Sequence, residues 1–328
     1  MSLSARNLTM AFFALLALGA VSPMVFGGAR FPQWLEIVLG GLMSGVLYSL
    51  VALGLVLIFK ASGVFNFAQG AMVLFAALTL VRLMEKMPFL AAFAVTLAVM
   101  VALAWLVERL VLRPLVNQEG IVLFMATLGV AYFLDGFGQM VWGADVFTLD
   151  VGMPKEPKII LQKMFEGGIL VSTEDLVAAL IAGLLVAALA IFFQKTSTGR
   201  ALRAVADDHQ AAQSIGIPLN RMWVIVWSIA GLVALVAGVV WGSKLGVQFS
   251  LQQVALKALP VVILGGFTSI PGAIVGGLLI GLGEKLSEVY LGPMLGGGIE
   301  NWFAYVLALV FLLFRPEGLF GERYIDRV

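Results

Sequence analysis

Long apolar segments, separated by short groups of charged residues, dominate the pattern of hydrophobic and polar positions along the chain. A helix needs about 20 mostly apolar residues to cross a bilayer. Eight apolar segments carry no charge apart from Asp135. They are 7–29, 37–59, 61–81, 87–107, 120–144, 176–194, 222–243 and 301–314, of which the last is the shortest. None shows the two-residue alternation of a membrane strand. The pattern predicts an all-α integral membrane protein with about eight full transmembrane helices.

A further apolar region, near 257–283, contains the segment "GGFTSIPG". The residues predicted to interrupt its helix are Gly265, Gly266, Pro271 and Gly272. Non-helical backbone at membrane depth is tolerated only where protein or a water-filled cavity covers it. We therefore expect a broken or re-entrant segment, which belongs either to a translocation path or to a tightly packed glycine kink.

Composition supports the membrane assignment, because 61% of the residues are hydrophobic and only 12% are charged. The chain has no cysteine, which excludes disulfides and thiolate metal sites. Its single histidine has no second histidine or cysteine with which to share a metal. A formal net charge of +1 gives no reason to expect a nucleic-acid partner.

Basic residues set the predicted orientation, because cytoplasmic loops are enriched in Lys and Arg. Basic clusters occur at 109–113, 195–221 and 315–327, whereas the loop 143–168 mixes both signs of charge. We expect the first three and both chain termini in the cytoplasm, and the mixed loop outside. An inside C-terminus then requires the segment near 257–283 to form two half-helices that enter and return, or one kinked pair.

The N-terminal segment 1–33 allows two interpretations. It contains a complete apolar span, which makes it an extra transmembrane helix. Arg6, the apolar run and the small residues "GGA" also fit a cleaved signal peptide.

A polar segment, "GRALRAVADDHQAAQSIG" at 199–216, stands out in this apolar chain. On a helical wheel its charged residues lie on one side and Leu202 and Val205 on the other, which predicts an amphipathic cytoplasmic helix. Thr196, Ser197 and Thr198 can cap its start, and Gly216 can end it. Its docking residues are expected to be Arg200, Arg203, Asp207, Asp208, His209 and Gly216. The alternative is a solvated loop helix with an Arg203–Asp207 pair.

Polar residues inside spans are costly and are candidates for function. The candidates for a translocation path are Asn66, Gln69, Thr127, Asp135 and Lys257. Asn66 and Gln69, three apart, are predicted on one helix face. Asp135 could line a path, pair with a neighbouring cation, or lie at the outer interface.

Four segments together resemble the membrane permease subunits of ABC importers of the branched-chain amino-acid type. They are "GVLYSLVALGLVLIFKASGVFNFAQGAM" (45–72), "TSTGRALRAVADDHQAAQSIGIPLNRM" (196–222), "KALPVVILGGFTSIPGAIVGGLLIGLGEKL" (257–286) and "FRPEGLFGER" (314–323). The resemblance is closest to the first of the two permease types in such importers. It implies a permease domain over 34–328, with a coupling loop at 195–221 and an external loop at 143–168.

The resemblance also implies an assembly in the bacterial inner (plasma) membrane. Its partners would be a second related permease, in a hetero- or homodimer, two cytosolic ATPases and a soluble substrate-binding protein. ATP and Mg would bind the ATPases, and the chain itself would be no enzyme and bind no cofactor. Consistent with this, the sequence has no G-x-x-x-x-G-K-[ST] phosphate loop.

The expected solute is small and organic. Branched-chain amino acids come first, followed by urea, short amides and small carboxylic or aromatic acids. Gln69 stands where many relatives have histidine in the pattern "NFAHG". A stand-alone channel or ion-coupled carrier would share the hydropathy pattern but should show intramembrane coupling charges and two similar halves. A membrane scaffold without transport is a third alternative.

Overall fold

The computed structural model describes residues 31–63, 65–115, 118–162, 164–165, 168–207 and 209–321, without the side chains of 207, 209 and 210. The predicted span 7–29 and Asp208 lie outside the described residues. The helices are α1 Phe31–Ser62, α2 Gln69–Met84, α3 Phe89–Val107, α4 Gly120–Trp142, α5 Thr173–Lys195, α6 Ser197–Asp207, α7 His209–Ser214, α8 Leu219–Leu245, α9 Val254–Gly265, α10 Ile270–Leu295 and α11 Phe303–Phe314. A π-helical turn, Glu108–Leu112, follows α3, and short 3-10 turns occupy Arg113–Leu115, Phe249–Gln253 and Ile299–Asn301.

Six of the described helical segments are long and apolar enough to cross a membrane. They are Phe31–Ser62, Phe89–Leu115, Gly120–Trp142, Thr173–Lys195, Leu219–Leu245 and Ile270–Leu295. The prediction of a helical, multi-pass membrane protein is confirmed. Two of the predicted spans prove short, since α2 has 16 residues and α11 has 12. The count of eight full spans stays a prediction.

The chain also contains a small element that the all-helical prediction did not include. Strands β1 (Lys158–Ile160) and β2 (Ile169–Val171) form an antiparallel pair in which Ile159 is opposite Leu170. The pair overlaps the end of the predicted external loop 143–168. Its apolar residues are partly exposed, and the pairing satisfies backbone groups that a plain loop would leave to water.

The described residues divide into two compact units. One comprises residues up to Ser49, Met153–Gly183 and residues from Lys257 onward, and the other comprises Leu50–Gly152 and Leu184–Leu256. In the second unit α2 packs against α3, α4 and α8, and every residue from Gln69 to Val81 is buried. A helix that is apolar on all sides belongs in a core, so α2 can be shorter than a lipid-exposed span.

In the first unit, glycines bring α1 and α10 into backbone contact. A Cβ added to Gly281 would lie 2.4 Å from the Gly45 nitrogen, and one added to Gly277 would lie 2.7 Å from the Gly45 oxygen. Gly41 lies against Leu282 and Gly45 against Leu278, so residue numbers rise along one helix as they fall along the other. The two helices are therefore antiparallel, and only glycine permits this approach.

We predict that Gly281→Ala lowers the free energy of unfolding by about 1–3 kcal/mol, because the added methyl group must push two backbones apart. Gly40→Ala is the matched control, since a Cβ there meets nothing within 4 Å. It should be neutral or stabilise by up to about 1 kcal/mol, because alanine favours the helix. Thermal unfolding of the detergent-purified variants measures both effects. Equal midpoints for the two variants would contradict the close-packing interpretation.

Candidate functional site

The polar segment 199–216 folds largely as predicted, as α6 and α7. Thr196 caps the start of α6, because its Oγ1 accepts a hydrogen bond from the Gly199 nitrogen at 2.9 Å. Leu202 and Val205 are fully buried, whereas Arg200 is exposed. The predicted amphipathic helix is thus confirmed, with its apolar side turned inward. A docking role for its polar side stays a prediction.

Two arginines of α6 contact the end of the preceding helix. Arg200 Nη1 donates to the Lys195 carbonyl at 3.4 Å, and Arg203 Nη2 donates to the Gln194 carbonyl at 3.5 Å. These long hydrogen bonds serve the last carbonyls of α5, where a positive charge also suits the helix dipole. The Arg203–Asp207 alternative lies outside the described residues, as do the side chains of Asp208 and His209.

A glycine at each end controls where the polar segment starts and stops. A Cβ on Gly199 would lie 2.4 Å from the Phe192 carbonyl oxygen, so α6 starts in direct backbone contact with α5. Gly216 has a φ of +87°, the left-handed conformation predicted for a residue that ends a helix. Pro218 then precedes α8. The start of α6 is therefore fixed by contact with α5, and the polar segment ends at a glycine turn.

Asn66 and Gln69 come together, although not on one helix as predicted. α1 ends at Ser62 and α2 begins at Gln69, so Asn66 lies in the connecting loop. The Asn66 side chain bridges this loop, because its Oδ1 accepts from the Ala68 nitrogen at 3.0 Å and its Nδ2 donates to Gln69 Oε1 at 3.1 Å. Gln69 Nε2 donates onward to the Ala230 carbonyl at 3.4 Å, and both side chains are completely buried.

Thr127 also serves this loop. Its hydroxyl lies 3.1 Å from the carbonyl oxygens of both Phe65 and Phe124, which share its single proton. Trp223 of α8 donates to the Ala61 carbonyl at 3.2 Å, which satisfies a group at the end of α1. Side chains from α4 and α8 therefore satisfy backbone groups at the helix interruption, as buried backbone groups require. Path-lining roles for Asn66, Gln69 and Thr127 stay predictions.

Within the described part of the chain, Asp135 is the path candidate with an unpaired buried oxygen. It is half-buried on α4, and its Oδ1 is buried without a hydrogen-bond partner among the described residues. A carboxylate oxygen in this position carries a desolvation cost that an ion, a solute or a partner group could offset.

The predicted break near 257–283 is confirmed, with shifted limits. α9 ends at Gly265, Gly266 has a φ of +104°, and α10 begins at Ile270. Pro271 and Gly272 do not interrupt the helix. Pro271 occupies the first turn of α10, where its missing N–H costs nothing, and the Gly272 nitrogen donates to the capping hydroxyl of Ser269 at 3.0 Å.

α9 and α10 fold back on each other as a helical hairpin. A Cβ on Gly265 would lie 2.2 Å from the Gly272 oxygen, and one on Gly276 would lie 2.7 Å from the Val261 oxygen. With 12 residues, α9 is only about 18 Å long. The segment is therefore two antiparallel helices, and its entry into and return from the membrane stays a prediction.

The C-terminal motif "RPEGLFG" covers the C-terminal end of α9. The Leu319 nitrogen donates to the Leu264 carbonyl at 2.8 Å, and the Phe320 nitrogen donates to the Gly265 carbonyl at 3.1 Å. Gly318, with a φ of +80°, lies so close that an added Cβ would be 2.7 Å from Gly266 Cα. Two segments that are distant in sequence thus build one structure.

The structure also reveals buried charges that the sequence analysis missed. Glu284 is 3% exposed on α10, and the Tyr48 hydroxyl of α1 hydrogen-bonds to it. Lys257, a predicted path candidate, holds its ammonium group 5.9 Å from the centre of the Tyr48 ring. The predicted apolar region stops at 283, immediately before Glu284, whereas the helix continues to Leu295. The spacing of Gly277, Gly281 and Glu284 along one helix face could have indicated it.

A second missed acid, Glu108, is fully buried in the π-helical turn after α3. Arg113 pairs with both of its oxygens, Nε to Oε1 and Nη2 to Oε2, each at 3.1 Å. This two-pronged pairing matches the carboxylate geometrically. It explains how one acid is buried at the end of an apolar helix.

Comparison with known proteins gives one family match and several full-length relatives. The model of the family described as "Branched-chain amino acid transport system / permease component" matches residues 37–315. The high-affinity branched-chain amino acid transport system permease protein LivH of Salmonella typhimurium is 28% identical, over 91% of this chain and 99% of its own. The corresponding BraD of Pseudomonas aeruginosa is 28% identical, over 90% of this chain and 98% of its own.

Among solved structures, a chain of PsaBC from Streptococcus pneumoniae in complex with Fab covers 85% of this chain and 90% of its own. Its TM-score is 0.43 and its sequence identity is 12%, which is too distant a likeness to support a structural argument.

We predict that Gln69→Leu lowers the free energy of unfolding by about 1–3 kcal/mol. The substitution removes both hydrogen bonds of the buried Gln69 side chain and leaves the Asn66 amide nitrogen with only the weak acceptor Met72 Sδ, at 3.6 Å. Gln139→Leu, at an exposed position of α4, is the control and should be neutral. Thermal unfolding in detergent tests this, and an unchanged Gln69→Leu midpoint would show that these hydrogen bonds do not hold the loop.

We also predict that Gly318→Ala is more damaging than Gly296→Ala. Both glycines have positive φ, so both variants carry the same backbone strain of about 1 kcal/mol. Only Gly318 faces a backbone at contact distance, whereas a Cβ on Gly296 meets nothing within 4 Å. The difference in thermal midpoint between the variants isolates the docking of the C-terminal motif, and equal midpoints would argue that this docking adds no stability.

Proposed function

Because the chain belongs to the family of permease components of branched-chain amino acid transport systems, we propose that it forms the membrane path for a small organic solute in an ATP-driven importer. The observation that carries the proposal is the family match over 37–315, which contains α6, the α9–α10 hairpin and every described path candidate. Branched-chain amino acids are the first candidate solute. Urea, amides and small acids rank behind them.

We propose that α6 is the coupling helix, within a coupling loop at 195–221, through which two cytosolic ATPases drive this subunit. The way in which α6 is attached to the rest of the chain supports this proposal. α6 is capped by Thr196, touches the α5 backbone at Gly199 and buries Leu202 and Val205. A force applied to its exposed face would therefore pass into α5 and α8 instead of bending a loose loop. Such levers suit alternating access by rigid-body motion.

The proposed assembly contains a second related permease, the same or different in sequence, the two ATPases and a soluble binding protein that selects the solute. ATP and Mg are assigned to the ATPases. The proposed location is the bacterial inner membrane, with both termini in the cytoplasm and the loop 143–168 outside as a docking surface for the binding protein. The proposed permease domain, 34–328, is supported by the start of the family match at residue 37. Residues 1–33 are proposed as an accessory helix.

The decisive experiment is purification of the chain from native membranes in mild detergent, followed by mass-spectrometric identification of what accompanies it. Recovery of ATPase and a second permease is expected, together with ATP-dependent leucine uptake after reconstitution with the binding protein. Uptake by the chain alone without ATP would overturn the proposal in favour of a carrier, for which Glu284 would be a coupling charge.

We predict that Arg200→Glu reduces the recovered ATPase by about tenfold, because charge reversal on a docking face introduces repulsion across the interface. Lys86→Glu is the control, since Lys86 is equally exposed but lies between α2 and α3, on the side assigned to the exterior. The ratio of ATPase to permease in the purified complex measures the effect. Equal ratios in both variants would remove this face of α6 from the coupling interface.

A further inference from the structure

Glu284 is a buried acid near the middle of a membrane-spanning helix. It is 3% exposed and lies on α10, a candidate membrane span in which every residue before Glu284 is uncharged. A charge at such depth costs several kcal/mol, and intramembrane acids generally mark solute or ion sites. The presence of Glu284 therefore requires a compensating interaction.

The surroundings of Glu284 compensate it only in part. The Tyr48 hydroxyl donates a hydrogen bond to the carboxylate, and Lys257 is the cation that acts most strongly on it. The Lys257 ammonium, however, lies over the Tyr48 ring, 5.9 Å from its centre. Tyr48 thus contacts both charges, with its hydroxyl on the anion and its ring face toward the cation.

The other charges at this end of α10 have structural partners of their own. Lys285 pairs with Glu300 at 3.5 Å. The Glu288 carboxylate accepts hydrogen bonds from the backbone nitrogens of Gly298 and Glu300, both at 3.0 Å, and so closes the glycine turn after α10. Neither of these roles applies to Glu284, which is more deeply buried.

The backbone explains how Tyr48 and Glu284 meet. Tyr48 lies three residues after Gly45, and Glu284 lies three residues after Gly281, at the contact between antiparallel α1 and α10. Helical side chains lean toward the N-terminus of their own helix. In an antiparallel pair they lean toward each other, so both side chains reach over the glycine contact. Lys257 joins them from α9 and remains partly exposed.

We propose that Tyr48, Lys257 and Glu284 form a binding site for the zwitterionic head group of an α-amino acid in transit. Glu284 binds the ammonium group, which takes the place over the Tyr48 ring that Lys257 now holds, and Lys257 binds the carboxylate. Ring faces and carboxylates both favour ammonium groups. Urea and simple carboxylic acids lack the ammonium group and do not complete the site. This inference rests on the proposed function.

The test uses the whole complex with its binding protein in proteoliposomes. Glu284→Gln should lower maximal ATP-driven leucine uptake by about tenfold, the scale of a lost charged hydrogen bond, while Glu284→Asp retains most of it. Tyr48→Phe and Lys257→Gln should each lower uptake several-fold. Glu85→Gln is the control, because this exposed acid pairs with Arg82 at the end of α2, away from the proposed site, and it should transport normally.

Three further measurements separate solute binding from a structural role. They are assembly with the ATPase, the thermal midpoint, and the ATP hydrolysis that the binding protein stimulates. The proposal expects all three to persist in Glu284→Gln while uptake falls. Wild-type uptake in both Glu284→Gln and Lys257→Gln would overturn it. The proposal would also be overturned if Glu284→Gln and Tyr48→Phe both lowered assembly and the thermal midpoint enough to account for the lost uptake. A wild-type complex without ATP-dependent leucine uptake would instead refute the proposed function.

Discussion

Backbone N–H and C=O groups inside a bilayer have no water to bind, and this constraint governs where the chain can leave a helix. The chain leaves a helix after Ser62 and again after Gly265, and described residues supply hydrogen-bond partners at both interruptions. Trp223, Thr127 and Asn66 serve the first, whereas the C-terminal motif serves the second with its own backbone nitrogens. Each interruption therefore persists only because separate parts of the sequence converge on it.

Close helix packing is the second requirement, since lipid gives helices no hydrophobic reason to associate. One unit meets this requirement through backbone contacts at Gly45, Gly277 and Gly281. The other has a similar contact at Gly238, where an added Cβ would lie 2.9 Å from the Val73 oxygen. Backbone contact along such faces holds the paired helices together, so that each pair is expected to move as one rigid body. The proposed rigid-body mechanism depends on this stiffness, and the proposed coupling role of α6 depends on its anchoring by Thr196 and Gly199.

Charges are distributed to match these tasks. The arginines of α6 lie at the surface and serve the end of α5, whereas Glu108 is buried but fully paired by Arg113. Glu284 differs from both, because its partners are a neutral hydroxyl and a cation that contacts an aromatic ring. A buried charge that is incompletely compensated is where a charged solute has most to contribute.

The sequence alone determined the helical membrane class, the amphipathic α6 and the broken segment, because apolar length, helical period and Gly/Pro positions are local properties. It misplaced Asn66 on a helix, extended the break to Pro271 and missed Glu284. The first two errors are local, because the Asn66 hydrogen bond to Ala68 and the Ser269 cap lie within three residues in sequence and mark a turn and a helix start. The meeting of Tyr48 with Glu284 is different. Only the tertiary structure decided it, because the antiparallel approach of two glycine faces brings together residues that lie more than 200 positions apart.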